Sequence, residues 1–125
     1  MGAWSAYDGW APIMKDQPVR PTHRYIQCYC HQGRIGVLVE FGLETWIVTQ
    51  REEFLAFARD LAMQVAASNP ESVDAMLHQV FARDTKQTVG QALQSTCSDL
   101  EERVIVTRFV RWDTGPAPRL PDTST

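Results

Sequence analysis

The sequence has no long apolar run, no surplus of basic residues and few cysteines. No stretch approaches the roughly 20 apolar residues that a membrane-spanning helix needs, and the start lacks the basic and apolar regions of a secretory signal. Lys and Arg number 12 against 15 Asp and Glu, a formal net charge of -3, which argues against binding a phosphate backbone. Its 3 cysteines are too few for a disulfide scaffold. We therefore expect a cytoplasmic protein that binds neither membrane nor nucleic acid.

Motifs for enzyme chemistry are also missing. The sequence contains neither a GxGxxG or GxxxxGK[ST] phosphate loop nor an HExxH or GxSxG motif. The acidic pairs Glu52-Glu53 and Glu101-Glu102 are sequence neighbours, so on a helix their side chains point about 100° apart. They fit surface charges better than an acid–base pair. We expect no catalytic residues, no cofactor and no enzymatic activity.

Cys28 and Cys30 are the one pair that could hold a metal. On a strand, residues two apart share a face, so both thiolates could touch one ion, with His23 and His31 nearby. A tetrahedral zinc site normally takes its ligands from two separated segments, and the chain has no second cysteine pair. We therefore predict no metal site and interpret both cysteines, like Cys97, as small buried hydrophobic residues. A metal or redox role is the minor alternative.

Three segments have the residue pattern of strands. Residues 23–30 and 34–41 alternate in character, which predicts two strands with one buried face each. Gly33 lies between them and can adopt positive φ, so the two segments predict a β-hairpin. Residues 103–112 are rich in β-branched and aromatic side chains and predict a third strand.

Three helices are predicted between the second and third strands. The first has a capping box at Thr49-Gln50-Arg51-Glu52, and the third has one at Thr88-Val89-Gly90-Gln91. Asn69 is the expected cap of the second helix, with Pro70 at its first position. Apolar residues at helical spacing, Val80 among them, are expected to line its buried side.

This order of elements predicts an α+β fold, a small, mainly antiparallel three-stranded sheet with helices packed on one face. We assign residues 23–113 to this core domain, residues 1–22 to an irregular lead-in and residues 114–125 to a mobile tail. The lead-in carries three aromatic residues, each three positions apart: Trp4, Tyr7 and Trp10. They could cover the core or form an exposed contact site, and the sequence leaves this open.

Several collinear segments point to one family. They are Gly33-Arg-Ile-Gly-Val-Leu-Val-Glu40, Glu44-Thr45, Glu53-Phe54, residues 58–67, Asn69-Pro70, Thr88-Val89-Gly90 and residues 104–111, read Val-Ile-Val-Thr-Arg-Phe-Val-Arg. Together they resemble the core, or dimerisation, domain of translation elongation factor Ts over roughly residues 23–113. The resemblance implies that family's α+β core.

The resemblance also implies a partner and an activity. In this family a loop that reads Thr-Asp-Phe-Val inserts into the GTPase elongation factor Tu and promotes GDP/GTP exchange. A factor that prefers the nucleotide-free GTPase must, by reciprocity, weaken nucleotide binding equally. The corresponding partner-binding residues of this chain are Glu44, Thr45, Trp46, Ile47 and Val48.

The loop differs from the family pattern at its two central positions. Trp46 and Ile47 replace the Asp and the Phe, so the acidic group is absent and the aromatic ring lies one position earlier. Exchange activity predicts that both side chains are exposed, whereas a scaffold role would bury them under the first helix. The alternative function is a non-catalytic interaction module, and short forms of the family imply a homodimer joined through its sheets.

Overall fold

The computed structural model describes residues 21–115. In chain order the elements are β1 (His23–His31), β2 (Ile35–Leu43), a 3₁₀ turn (Trp46–Gln50), α1 (Glu52–Ser68), α2 (Val73–Leu77), α3 (Val89–Leu100) and β3 (Val104–Asp113). Trp4, Tyr7, Trp10 and residues 116–125 lie outside the described part. Within residues 21–115, no helix is both long enough and apolar enough to cross a membrane.

The three strands form one antiparallel sheet in the order β1-β2-β3. The hairpin between the first two turns at Gln32 and Gly33, with φ of 56° and 68°. The amide of Arg34 closes the turn by donating to the carbonyl of His31 at 2.9 Å. Positive φ at Gly33 costs little because glycine has no Cβ. The predicted hairpin, the late third strand and the α+β class are confirmed.

One face of the sheet, here called the inner face, packs against the helices. On the central strand β2 its side chains are Val37, Val39, Phe41 and Leu43, all at most 2% exposed. Phe54 of α1 meets this face edge-on, with its ring centroid 5.3 Å from that of Phe41 and 5.2 Å from that of Tyr25. These contacts join the sheet and α1 into one core.

None of the helices within residues 21–115 packs on the opposite, outer face of the sheet. Its residues are Arg24, Ile26, Cys28 and Cys30 on β1, Gly36, Leu38, Glu40 and Gly42 on β2, and Ile105, Arg108, Val110 and Trp112 on β3. A bulge in β3 shifts the alternation, because Glu40 pairs with Arg108 but Phe41 pairs with Val106. The extra residue is Thr107, whose hydroxyl donates to Glu40 Oε1 at 2.6 Å.

Only one of the two predicted capping boxes forms. Thr88 accepts from the amide of Gln91 at 3.1 Å, and the side chain of Gln91 accepts from the amide of Thr88 at 2.8 Å. The prediction at Thr49 is wrong because this residue belongs to the 3₁₀ turn, where its hydroxyl donates to the carbonyl of Trp46 at 2.7 Å. The first helix begins at Glu52 without a side-chain cap.

The prediction for the second helix is also wrong in detail. Asn69 ends α1 in the left-handed region with φ of 49°, a conformation that asparagine tolerates better than most residues. Ser72 caps the second helix instead, accepting from the amide of Ala75 at 3.0 Å. Val80 lies beyond this short helix and is 56% exposed.

Gln64 holds the segment between α2 and α3 against α1. Its side chain is 6% exposed, accepts from the amide of Ala82 at 2.8 Å and donates to the carbonyl of Val80 at 3.0 Å. A buried amide needs such partners to offset the loss of water. The irregular segment is thereby fixed to the first helix without apolar packing at Val80.

Candidate partner-binding site

An exposed apolar tip lies between β2 and α1. We call Trp46 and Ile47 the apolar tip; they are 49% and 66% exposed, whereas the next residue, Val48, is 1% exposed. All three belong to the 3₁₀ turn, in which successive side chains point about 120° apart. This geometry sends Val48 into the core and leaves its two predecessors facing solvent.

The structure thus divides the five predicted partner-binding residues. Thr45 and the apolar tip are exposed, while Glu44 is half-buried in an ion pair. Val48, the fifth predicted residue, is 1% exposed and packs in the core beneath the tip. The partner-facing candidates are therefore Thr45, Trp46 and Ile47.

The base of the tip is tied to the turn between α3 and β3. Glu44 Oε2 lies 2.8 Å from Arg103 Nη2, and the amide of Arg103 donates to Glu44 Oε1 at 3.4 Å. The hydroxyl of Thr45 donates to Glu102 Oε2 at 3.1 Å. Both partners are remote in sequence and carry no motif, so sequence reasoning missed Glu102 and Arg103. Together these contacts fix the direction in which the tip points.

Trp46 also leans on the start of β1. Its ring centroid lies 6.2 Å from that of His23 and 6.5 Å from that of Tyr25. These tilted contacts hold the indole on one side and leave about half of it open. Ile47, the next residue, is more exposed than Trp46. The tip therefore presents a positioned, apolar surface of the kind that fills a partner's pocket.

Cys28 and Cys30 overturn the prediction that both are buried. They are exposed on the outer face, whereas Tyr25 and Tyr29 take the half-buried positions of β1. The reason is that the helices of the described part of the chain cover the inner face. Among the described residues, no group of three or more His, Cys, Asp or Glu side chains could hold a metal ion. Cys97 is buried as predicted, and burial raises the pKa of its thiol to about 11.

Comparison with known proteins identifies relatives of this fold. The family model for elongation factor TS matches residues 13–76. The elongation factor Ts of Rubrobacter xylanophilus is 31% identical, with 75% of this chain and 72% of that protein covered. That of Oleidesulfovibrio alaskensis is 27% identical over 90% of this chain and 80% of the relative. That of Desulfotalea psychrophila is 44% identical over 72 residues, which cover 56% of this chain and 37% of the relative.

The alignments also show how this chain differs from its relatives. The alignment with the Rubrobacter protein extends over 141 positions, more than the 125 residues of this chain, although it takes in only 75% of them. The relative therefore carries segments that have no counterpart here. The match to the family model, residues 13–76, nevertheless includes the β1–β2 hairpin, the apolar tip and α1. On this match and the coverage of both sequences, the chain belongs to the elongation factor Ts family.

Proposed function

We propose that this protein binds an elongation factor Tu-like GTPase through its apolar tip and promotes the exchange of GDP for GTP. The observation that carries the proposal is the exposure of Trp46 and Ile47, 49% and 66%. They occupy the two central positions of the loop that the resemblance assigns to insertion into the GTPase. Large apolar side chains presented together in solvent are typical anchors of protein–protein contacts.

Exchange follows from binding by thermodynamic linkage. If the protein binds the nucleotide-free GTPase more tightly than the GDP-bound form, GDP binding is weakened by the same factor. A rigid tip serves this purpose because less conformational freedom is lost on binding. The ion pair of Glu44 with Arg103 and the hydrogen bond of Thr45 to Glu102 supply that rigidity.

The tip would act sterically. Neither Trp46 nor Ile47 carries a charge, so they cannot repel the phosphates of a nucleotide or attract its magnesium ion. Their bulk can displace the GTPase segment that holds these groups, and a lost magnesium ion loosens the phosphates. Such an action makes and breaks no covalent bond, so we assign no enzymatic activity and no cofactor. We place this activity in the cytoplasm.

Stopped-flow release of fluorescently labelled GDP from elongation factor Tu tests the proposal. We expect the protein to accelerate release, and we expect Ile47→Ala and Trp46→Ala each to reduce the acceleration by about tenfold or more, as for interface anchors. Val80→Ala is the matched control, since Val80 is an exposed aliphatic residue away from the tip. Absence of acceleration at micromolar protein would contradict the proposal, as would equal losses in the control.

The alternative function is a non-catalytic dimerisation module. One observation favours it, the apolar outer face, where Ile26, Leu38 and Trp112 are 52%, 47% and 76% exposed. Two copies could bury this surface against each other. Light scattering tests the alternative: a mass that doubles with concentration, without GDP release, would support it. A strict monomer that accelerates release would exclude it.

A further inference from the structure

The C-terminal end of α3 lies beside the apolar tip. The hydroxyl of Thr45, the residue before Trp46, donates to Glu102 Oε2 at 3.1 Å. At the base of the tip, Arg103 Nη2 lies 2.8 Å from Glu44 Oε2. A partner that receives the tip therefore also meets the residues that end α3.

Arg51 shows that two further carboxylates lie on this side of the molecule. It directly follows the 3₁₀ turn, and its amide donates to the carbonyl of Val48 at 3.0 Å. Its hydrogen bond to Glu53 is the largest cause that raises its pKa, followed by the charge of Glu53. Desolvation acts in the opposite direction, and the charges of Glu101 and Asp99 raise the pKa of Arg51 further. Both carboxylates thus lie within electrostatic reach of the turn that carries the tip.

We call Asp99, Glu101 and Glu102 the acidic end of α3. The first two are exposed and the third is half-buried. Within the part of the chain that the structure describes, none of the three forms an ion pair. Arg51 and Arg103 are close by, but each pairs with a different glutamate. No ion pair within the described residues therefore balances the negative charge of this end.

These charges are unfavourable for the helix itself. The C-terminal end of an α-helix carries a negative partial charge from its unpaired carbonyls, so basic residues are favoured there. The last turn of α3 has no basic residue, and it contains Asp99. Glu101 and Glu102 follow the helix directly. Local conflicts of this kind are expected at sites where function determines the residues.

One carboxylate oxygen at this end has no hydrogen-bond partner. Glu102 Oε1 is buried, and no donor among the described residues reaches it. Buried polar atoms are nearly always hydrogen-bonded, so an unsatisfied oxygen needs an explanation. Glu102 Oε2 accepts from Thr45, so the unsatisfied oxygen lies next to the residue that leads into the tip. A donor from a partner seated on the tip provides that explanation.

We propose that the acidic end of α3 binds a lysine or arginine side chain on the protein that receives the apolar tip. This contact rests on the proposed function of the tip, since one partner makes both contacts. It defines the partner's surface as an apolar pocket with a basic residue at its rim. A guanidinium or ammonium group donates to Glu102 Oε1 and balances the charges of Asp99 and Glu101.

A basic side chain fits this end better than a metal ion. Among the described residues, no group of three or more His, Cys, Asp or Glu side chains could hold a metal. Exposed carboxylates around a central apolar anchor instead have the arrangement of an interface, in which charged groups occupy the rim. Complementary charges at a rim mainly raise the rate of association and the specificity of the complex.

A neutral double variant of the full chain tests the contact. In Asp99→Asn/Glu101→Gln, the rate of association with GDP-loaded elongation factor Tu should fall about fivefold or more at about 0.1 M salt. The loss should shrink at higher salt, because screening weakens exposed charges. Glu71→Gln/Asp74→Asn is the matched control. It removes two exposed negative charges beyond the far end of α1, whose 17 residues span about 25 Å.

Glu102→Gln tests the unsatisfied oxygen separately. Its amide oxygen can still accept from Thr45, so the tip keeps its support while the charge is lost. We expect the half-saturating protein concentration for GDP release to rise about tenfold while the maximal rate stays unchanged. Glu102→Ala also removes the support of Thr45 and should lower the maximal rate as well. A Glu102→Gln variant with native values would show that this residue only positions the tip, which would overturn its assignment to the partner.

Urea midpoints determine whether the acidic end of α3 serves the fold instead. We expect Asp99→Asn/Glu101→Gln to be at least as stable as the native protein, since the variant removes like charges from a helix end. A lower midpoint, an unchanged association rate, or an equal loss in the control would overturn the proposal. If the native protein does not accelerate GDP release, the exchange function fails as well. Accelerated release with association that is independent of salt would overturn the basic contact alone.

Discussion

The two faces of β2 differ sharply in the exposure of their apolar side chains. Val37, Val39 and Phe41 point inward and are at most 2% exposed, while Leu38, between two of them, is 47% exposed. All four are apolar, so hydrophobicity alone does not separate them. What separates them is the layer of helices between residues 21 and 115, which covers the inner face. Apolar residues on the inner face hold the fold, and those on the outer face are available for other contacts.

The same division occurs across one peptide bond at the tip. Ile47 is 66% exposed and Val48 is 1% exposed. The resemblance groups these residues into a single partner-binding loop, but only one of the two side chains reaches solvent. We therefore predict that the buried residue contributes to stability and the exposed one to partner binding, and substitutions should distinguish the two.

The largest expected effect comes from the inner face. Phe41→Ala should lower the free energy of unfolding by about 3–5 kcal/mol, because it removes a fully buried ring that packs on Phe54. Leu38→Ala on the outer face should cost about 1 kcal/mol or less. Urea denaturation followed by circular dichroism measures both. Similar losses for the two variants would mean that the outer face belongs to the folding core.

A smaller effect is expected at the tip. Val48→Ala should cost about 2 kcal/mol of stability, since it removes two buried methyl groups and leaves a cavity. Ile47→Ala should change stability by about 0.5 kcal/mol or less, while reducing acceleration of GDP release. Urea denaturation gives the stability of each variant, and stopped-flow release of GDP gives its exchange activity. Loss of stability in Ile47→Ala would show that the tip is structural.

Two threonines allow the same comparison for polar side chains, because Thr88 caps a helix and Thr49 does not. Thr88→Ala should cost about 1 kcal/mol, because the hydroxyl accepts from the amide of Gln91 at the start of α3. Thr49→Ala should cost only a few tenths of this, since its hydroxyl caps no helix. Thermal or urea denaturation compares the two. Equal costs would indicate that the turn at Thr49 is as important as the cap.

Sequence patterns predicted the elements and their order well. Alternation located β2, helical spacing located α1 and α3, and the collinear segments identified the family. These signals work because burial of one face repeats with the period of the element. Local chemistry was less informative at Thr49 and Asn69. Each has a side chain suited to capping, yet Thr49 lies in a 3₁₀ turn and Asn69 at the end of α1.

The remaining misses come from non-local geometry. The bulge at Thr107 changes which side chains of β3 face outward, and only the partner strand reveals it. Cys28 and Cys30 are exposed because the helices pack on the other face of the sheet, and alternation alone does not choose between the faces. Glu102 and Arg103 reach the tip from a distant turn. Sequence spacing carries no information on such contacts without coordinates.

The smallest expected effect concerns Glu40, the acidic residue of the outer face. The hydrogen bond from Thr107 is the largest cause that lowers the pKa of Glu40 below its ordinary value. Burial acts in the opposite direction, but the hydrogen bond from Arg108 and the positive charges of Arg108 and Arg24 add to the lowering. A carboxylate whose folded pKa is depressed stabilises the protein above its unfolded pKa. That contribution is lost as pH falls through the folded pKa.

Glu40→Gln isolates this contribution from those of other carboxylates. At neutral pH the variant should be less stable by about 1 kcal/mol or less, as for exposed ion pairs. The difference should shrink as pH falls below the ordinary glutamate range, because the native side chain then becomes neutral as well. Urea midpoints of both proteins across acidic pH measure this. A difference that stays constant with pH would mean that Glu40 acts through its shape and hydrogen bonds, and the outer face would then hold no charge-dependent stability at this position.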